Sequence, residues 1–249
     1  MFGSDVEGKV AFITGGNGGI GMASARMLAE EGAKIILADI VTDKAEALAD
    51  EIRASGGEAH VVSFDLRDFE NLKANIAKVT GIYGYVDILV NVAGITGSTP
   101  ITEITYESWD RMMDIDLKST FFITQQIFEV MKERNYGKIV FVSSLAALRG
   151  GRSSDCSYAA AKAAEVNLTK SFALAGAEYN ITSNAVCPGN VVTPMGMTLS
   201  WYQKDPATYI PMKHFGTCED CAYSVLFYAS KMSDYVTGDI TNISGGLYM

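Results

Sequence analysis

The chain is poor in the residues that staple a secreted fold, grip nucleic acid or cross a bilayer. Cysteine occurs only at Cys156, Cys187, Cys218 and Cys221 in 249 residues. That is too sparse for a disulfide framework, and free thiols in the cytoplasm are the expectation. Cys218-Glu219-Asp220-Cys221 is a lone C-x-x-C with no second pair and one nearby imidazole, His214, so no metal site is expected. Cations are the minority: 20 Lys and Arg against 29 Asp and Glu, a net charge of −9. This argues against nucleic acid or an anionic membrane surface as the main partner. No apolar run is long enough to span a bilayer. The start, Met1-Phe2-Gly3-Ser4-Asp5-Val6-Glu7, has no basic region followed by an apolar stretch, so no secretory signal is expected. Repeats, low-complexity stretches and linkers are missing too, which leaves one domain over residues 1–249. Of only five prolines, three fall between Asn190 and Phe215. That irregular segment is a candidate lid over a pocket, at about 190–215.

What is present is alternation. Short apolar runs predict strands at Val10–Ile13, Lys34–Asp39, Ala59–Phe64, Asp87–Val90, Lys138–Val142, Ile181–Val186 and Asp239–Ile243. Helical patterns lie between them. One runs from Ile20 to Glu31 and stops at Gly32. Another is capped by Thr42 and ends near Ser55; a third is opened by Asp68. A long one covers Tyr106 to Arg134, and one carrying Tyr158 continues to about Tyr179. Strands alternating with helices imply right-handed crossovers and a doubly wound α/β fold of the Rossmann type: about seven parallel strands covered on both faces.

Two stretches carry chemistry. Thr14-Gly15-Gly16-Asn17-Gly18-Gly19-Ile20-Gly21 sits between the first strand and first helix, where glycines let backbone amides approach a pyrophosphate. Asp39 ends the second strand. A carboxylate there accepts both ribose hydroxyls of NAD and repels the 2′-phosphate of NADP. Gly18 agrees, since no basic residue stands at that position. The second stretch is Tyr158-Ala159-Ala160-Ala161-Lys162, an alanine-rich helix that puts Tyr158 and Lys162 on one face. A phenol holds its proton to a pKa of about 10, and a nearby cation favours the phenolate. Tyr158 is then a proton donor and acceptor, and Ser144 adds a hydrogen bond to the same substrate oxygen. Taken alone, this spacing is more often that of an ordinary surface helix.

With these residues in order, the chain resembles the short-chain dehydrogenase/reductase family over essentially its whole length. Its glycine motif falls on Thr14, Gly15, Gly19 and Gly21, its Asn-x-Ala-Gly motif on Asn91-Val92-Ala93-Gly94, and its Pro-Gly motif on Pro188-Gly189. Asp65 and Leu66 match the pair that holds adenine. The ending, Ser244 to Met249, is similar to that of the 3-oxoacyl-carrier-protein reductases within the family. The resemblance implies Ser144, Tyr158 and Lys162 as catalytic residues. It implies NAD held by Gly15, Asn17, Gly19, Ile20, Gly21, Asp39, Ile40, Asp65, Leu66, Asn91, Ala93, Gly94, Tyr158, Lys162, Pro188, Gly189, Val191 and Thr193. Hydride transfer between a secondary alcohol and a ketone, and a homotetramer or homodimer, follow from it as expectations.

One position departs. The family's catalytic Asn falls on Asp116, with no Asn between Asn91 and Asn135. A carboxylate there either replaces the Asn as an acceptor or offsets the Lys162 cation and makes the Tyr158 phenolate harder to form. The loop Leu145 to Ser157 is one residue longer than the common spacing and rich in Gly, Ser and Arg, so it shapes the pocket. Met195, Met197, Leu199, Trp201 and Tyr202 in the lid either meet a hydrophobic or cyclic substrate, such as a hydroxysteroid or an aryl alcohol, or pack the lid and a subunit contact. A 3-oxoacyl thioester is the alternative substrate, and a non-catalytic NAD-binding regulator the alternative class.

Overall fold

The computed structural model describes residues 4–249, so the N-terminal reading rests partly on Met1, Phe2 and Gly3, outside the described residues. Seven strands form one parallel sheet: β1 (Val10–Thr14), β2 (Lys34–Asp39), β3 (Ala59–Ser63), β4 (Ile88–Asn91), β5 (Gly137–Val142), β6 (Ile181–Pro188) and β7 (Ile240–Ile243). Their order is β3-β2-β1-β4-β5-β6-β7, with every pairing parallel. The strands are apolar on both sides because both faces are covered. Ile35 and Leu37 of β2 face one core with Leu28, Leu48 and Val225. Ile36 and Ala38 face the other, with Val79, Ile127 and Phe172.

The helices are α1 (Gly19–Glu30), α2 (Asp43–Ala54), α3 (Leu72–Tyr83), α4 (Tyr106–Met113), α5 (Ser119–Arg134), α6 (Ala146–Arg149), α7 (Cys156–Gly176) and α8 (Cys218–Ala229). α1, α2 and α8 cover the first core; α3, α5 and α7 cover the second. Four sequence expectations need correction. Thr42 stands at the start of α2 without capping it; the Asn17 side chain does so instead, accepting from the amides of Lys44 and Ala45 at 2.8 and 3.0 Å. Asp68 does not open α3, which begins four residues later behind Asn71. The long helix from Tyr106 is interrupted by a π-helical turn, Asp114–Lys118, which separates α4 from α5. Part of the Leu145–Ser157 loop is helical, as α6. The sequence reading also passed over α8, although Thr217 and Asp220 form a reciprocal cap at its start.

The register places the site. Thr14 pairs with Ala38 on one side and Asn91 on the other, so β1, β2 and β4 end level. β1 lies between β2 and β4, where the strand order reverses; such a point opens a crevice at the carboxyl ends of the strands. The loops after β1, β4, β5 and β6 all empty into it.

Candidate active site

A cavity of about 600 Å³ occupies that crevice. Of the residues expected from the sequence, Gly15, Asn17, Gly19, Ile20, Asp39, Ile40, Asp65, Leu66, Ala93, Gly94, Ser144, Tyr158, Lys162, Pro188, Gly189, Val191 and Thr193 line it. Three do not. Gly21 is buried against the Gly15 carbonyl, where a Cβ would collide. Asn91 lies behind the wall and donates from Nδ2 to Thr124 Oγ1 at 2.9 Å. Asp116 is also off the wall, behind Gly94.

At one end, α1 starts with no side chain capping it and no acidic residue in its first turn. Its first amides, at Gly19 and Ile20, stand at the cavity wall and are free to meet an anion. Gly15 adopts φ +71°, and a Cβ there would lie 2.8 Å from the Ala93 amide. Glycine is therefore required both for the turn and for the approach of the β4 loop. Asp39 is held as an acceptor: Oδ2 takes the Asn17 amide at 3.0 Å and Oδ1 the Val41 amide at 3.3 Å. Asp65 takes the Arg67 amide and guanidinium, which hold its carboxyl below its ordinary value. An uncapped helix start, glycines too close-packed for a side chain, and a fixed carboxylate together fit a nicotinamide dinucleotide. Lys44 also lines this end, a cation that the sequence reading overlooked.

At the other end, β5 delivers Ser144 and α7 delivers Tyr158. Asp155, missed in the sequence, caps α7: its carboxylate accepts from the Tyr158 amide at 3.0 Å and from Ser157 Oγ at 2.8 Å. An Asp directly before the helix, at its N-cap, was the available signal. The Ser144 hydroxyl accepts the Ala146 amide at 3.1 Å.

Lys162 and Tyr158 share a face, but Lys162 does not turn to the phenol. Its Nζ donates to Glu165 Oε1 at 2.9 Å and to the Val142 carbonyl at 3.3 Å, and stands 6.0 Å from the centre of the Tyr158 ring. Asp116 Oδ2 is 4.0 Å from the same Nζ, and Asp116 Oδ1 accepts the Ile95 amide at 2.8 Å. Burial pushes the Asp116 carboxyl up to about 6, against Lys162 and the Ile95 amide. Burial likewise pushes Glu165 up to about 8, against Lys162. The expected lowering of the Tyr158 phenol is corrected. Burial raises it, and the opposing pull of Lys162 and of the Ser144 hydrogen bond does not overcome that. Glu165 was not singled out from the sequence, although its i, i+3 spacing from Lys162 was the signal.

The 190–215 segment, expected as a lid, contributes Asn190, Val191, Thr193, Pro194, Met195, Gly196, Leu199 and Trp201 to the wall. Trp201, Tyr202 and Phe215 form one aromatic cluster, with ring centres 5.1 to 5.9 Å apart. Met195 and Leu199 thus face the cavity, while Tyr202 packs within the segment, against Trp201 and Phe215. Thr193 Oγ1 accepts the Gly196 amide at 2.8 Å and steadies the turn that follows.

Comparison with known proteins agrees with this geometry. The sequence pattern of the short chain dehydrogenase family matches residues 9–203. The chain is 37% identical over 243 residues to a 3-oxoacyl-(acyl-carrier-protein) reductase, FabG, of Thermotoga maritima, covering 97% of this chain and 98% of that one. Among solved structures it is similar to a gluconate 5-dehydrogenase from Burkholderia cenocepacia in complex with NADP and tartrate. That match has a TM-score of 0.91 and 31% identity, and covers 98% and 97% of the two chains. It is also similar to levodione reductase, with a TM-score of 0.88, 30% identity and 96% of each chain covered.

Proposed function

The chain belongs to the short-chain dehydrogenase family and is an oxidoreductase; from that premise we propose that it interconverts a secondary alcohol and a ketone with NAD(H). The observation that carries this reading is one cavity lined at one end by Gly15, Gly19 and Asp39 and at the other by Ser144, Tyr158 and Lys162.

NAD supplies the hydride acceptor, and NADH the donor, at the nicotinamide ring. Tyr158 and Ser144 hydrogen-bond the substrate oxygen. Tyr158 takes the hydroxyl proton in oxidation and returns it in reduction. Its phenol is buried, so the ionised form depends on the nearby Lys162 charge and the Ser144 hydrogen bond. Lys162 stays protonated, because Glu165 and Asp116 outweigh the burial that would otherwise lower it. Asp39 selects NAD by accepting ribose hydroxyls and repelling a phosphate.

Met195, Leu199 and Trp201 on the wall support a substrate with an apolar or cyclic body. A 3-oxoacyl thioester is the second reading, favoured by the similarity to a 3-oxoacyl-(acyl-carrier-protein) reductase. The reading includes a homotetramer, supported by apolar side chains left open on α5 and α7: Phe122 is 37% exposed and Leu174 84%. It also includes a cytoplasmic location, supported by four unpaired thiols.

The test is nicotinamide reduction and oxidation over a panel of secondary alcohols, ketones and 3-oxoacyl thioesters, with NAD and NADP in parallel. Turnover with NAD on one class supports the reading. NADP preference would overturn the role of Asp39, and NAD binding without turnover on any class would overturn the catalytic reading.

A further inference from the structure

The chain has seven arginines: Arg26, Arg53, Arg67, Arg111, Arg134, Arg149 and Arg152. Arg26, Arg53, Arg67 and Arg134 each pair with a carboxylate, on Glu51, Asp50, Asp65 and Asp87. Among the described residues, Arg111, Arg149 and Arg152 have no carboxylate partner within 4.0 Å and donate no side-chain hydrogen bond. These same three all line the cavity. In a chain with net charge −9, the three guanidinium groups without a carboxylate partner all stand at one opening.

Their placement is specific. Arg111 is on α4 and Arg149 on α6, and both helices pack on α7, which carries Tyr158. Arg152 lies in the short loop between α6 and α7. The carboxylates on the wall stand at the opposite end, Asp39 at the end of β2 and Asp65 just after β3. Arg149 is half-buried beside Arg152. Its guanidinium is held below its ordinary value, first by burial and then by the like charge of Arg152. Two cations kept close without a carboxylate between them are a binding geometry for an anion, since each guanidinium presents a planar fork to carboxylate or phosphate oxygens.

We propose that the substrate carries an anionic group, a carboxylate or a phosphate, apart from its reacting alcohol or ketone, and that Arg149 and Arg152, with Arg111, receive that group at the Tyr158 end of the cavity. The inference rests on the oxidoreductase reading above and narrows its substrate class. It joins an apolar wall, at Met195, Leu199 and Trp201, to a charged rim. The substrate is then apolar in the middle and charged at one end.

The experiment uses the full chain with NAD and NADH and matched substrate pairs. One pair is a hydroxy acid and its methyl ester; the other is a 3-oxoacyl coenzyme A and its N-acetylcysteamine thioester. The expected result is a kcat/KM at least about tenfold higher for the charged member of one pair, falling as salt is raised. The pair that shows it tells carboxylate from phosphate. In the Arg149→Gln, Arg152→Gln double variant the charged-over-neutral preference falls by about tenfold, through KM rather than kcat. Equal use of both members of each pair, or an unchanged preference in the double variant, overturns the proposal. If no substrate turns over, malonate and inorganic phosphate are titrated by calorimetry. Salt-sensitive binding that the double variant loses keeps the anion site and sinks the redox reading. No binding by the wild-type chain overturns the anion site.

Discussion

Lys162 and Glu165, less than one turn apart on α7, meet at the inner wall of the cavity, both nearly fully buried: Nζ lies 2.9 Å from Oε1, with side-chain exposures of 4% and 1%. A second carboxylate, that of Asp116, is 4.0 Å from the same nitrogen and fully buried. One cation is thus shared by two buried acids. Burial opposes ionisation of both; the Asp116 charge raises Glu165 further and the Asp155 charge raises Asp116, so protons are retained here that the unfolded chain would release.

The stability consequence has a definite sign. Glu165 titrates near 4.5 when unfolded and is pushed up to about 8 when folded. Between those values the folded protein holds a proton that the unfolded chain has lost, so stability falls as pH rises through this window. Asp116, at about 6, adds to the slope only in its lower part. Thermal midpoints measured from pH 6 to 8 are expected to fall, and Glu165→Gln is expected to flatten that fall with little change at pH 6. A slope that survives the substitution would refute the assignment.

Asp116 is placed to bear on Tyr158 through its charge. Above pH 6 its carboxylate is ionised, and it is among the groups that raise the Tyr158 phenol. Asp116→Asn removes that charge and keeps an acceptor for the Ile95 amide. The alkaline rise of kcat/KM for alcohol oxidation is expected to move to lower pH in this variant. A superimposable pH–rate profile would show that Asp116 merely replaces an amide as a hydrogen-bond acceptor.

Tyr158→Phe removes the proton donor and acceptor while leaving the ring packing intact. Turnover is expected to drop by about 10²–10⁴-fold. Coenzyme binding, followed by NADH fluorescence, is expected to persist, because the Gly15–Gly21 loop and Asp39 are untouched. Retained turnover would remove Tyr158 from the mechanism.

Asp39→Ala abolishes the carboxylate that the Asn17 and Val41 amides hold in place. Like charges set face to face cost several kcal/mol, so the NAD-over-NADP ratio of kcat/KM is expected to fall by about tenfold or more. An unchanged ratio would mean that Lys44, at the same end of the cavity, already accommodates the phosphate.

Asn17 does two things, and both are measurable. Its side chain caps α2 through the Lys44 and Ala45 amides, while its own amide positions Asp39. Asn17→Ala is expected to cost about 1 kcal/mol of stability, a drop in thermal midpoint of about 2–4 °C for a chain of this size. The NAD KM is expected to stay within about twofold, since the Asn17 amide is retained. A larger KM change would show that the cap also orders the coenzyme loop.

Much of this molecule was legible from local pattern. The seven strands, the glycine loop between β1 and α1, Asp39 at a strand end, and Ser144, Tyr158 and Lys162 all depend on spacing and on residue types whose chemistry does not wait for packing. Their arrival in one cavity follows from a parallel sheet, which brings every strand's carboxyl end to the same edge. What the tertiary structure alone decided depends on distance and burial between segments far apart in the chain. Asn17, not Thr42, caps α2, because the β1 loop folds over the start of a helix some 27 residues on. The sign of the Tyr158 shift was not readable, because it is set by how deeply α7 is buried, and spacing along a helix carries no information on dielectric surroundings. The unpaired state of Arg111, Arg149 and Arg152 was invisible for the same reason: a sequence records a cation, but only the folded chain determines whether a carboxylate stands within reach of it.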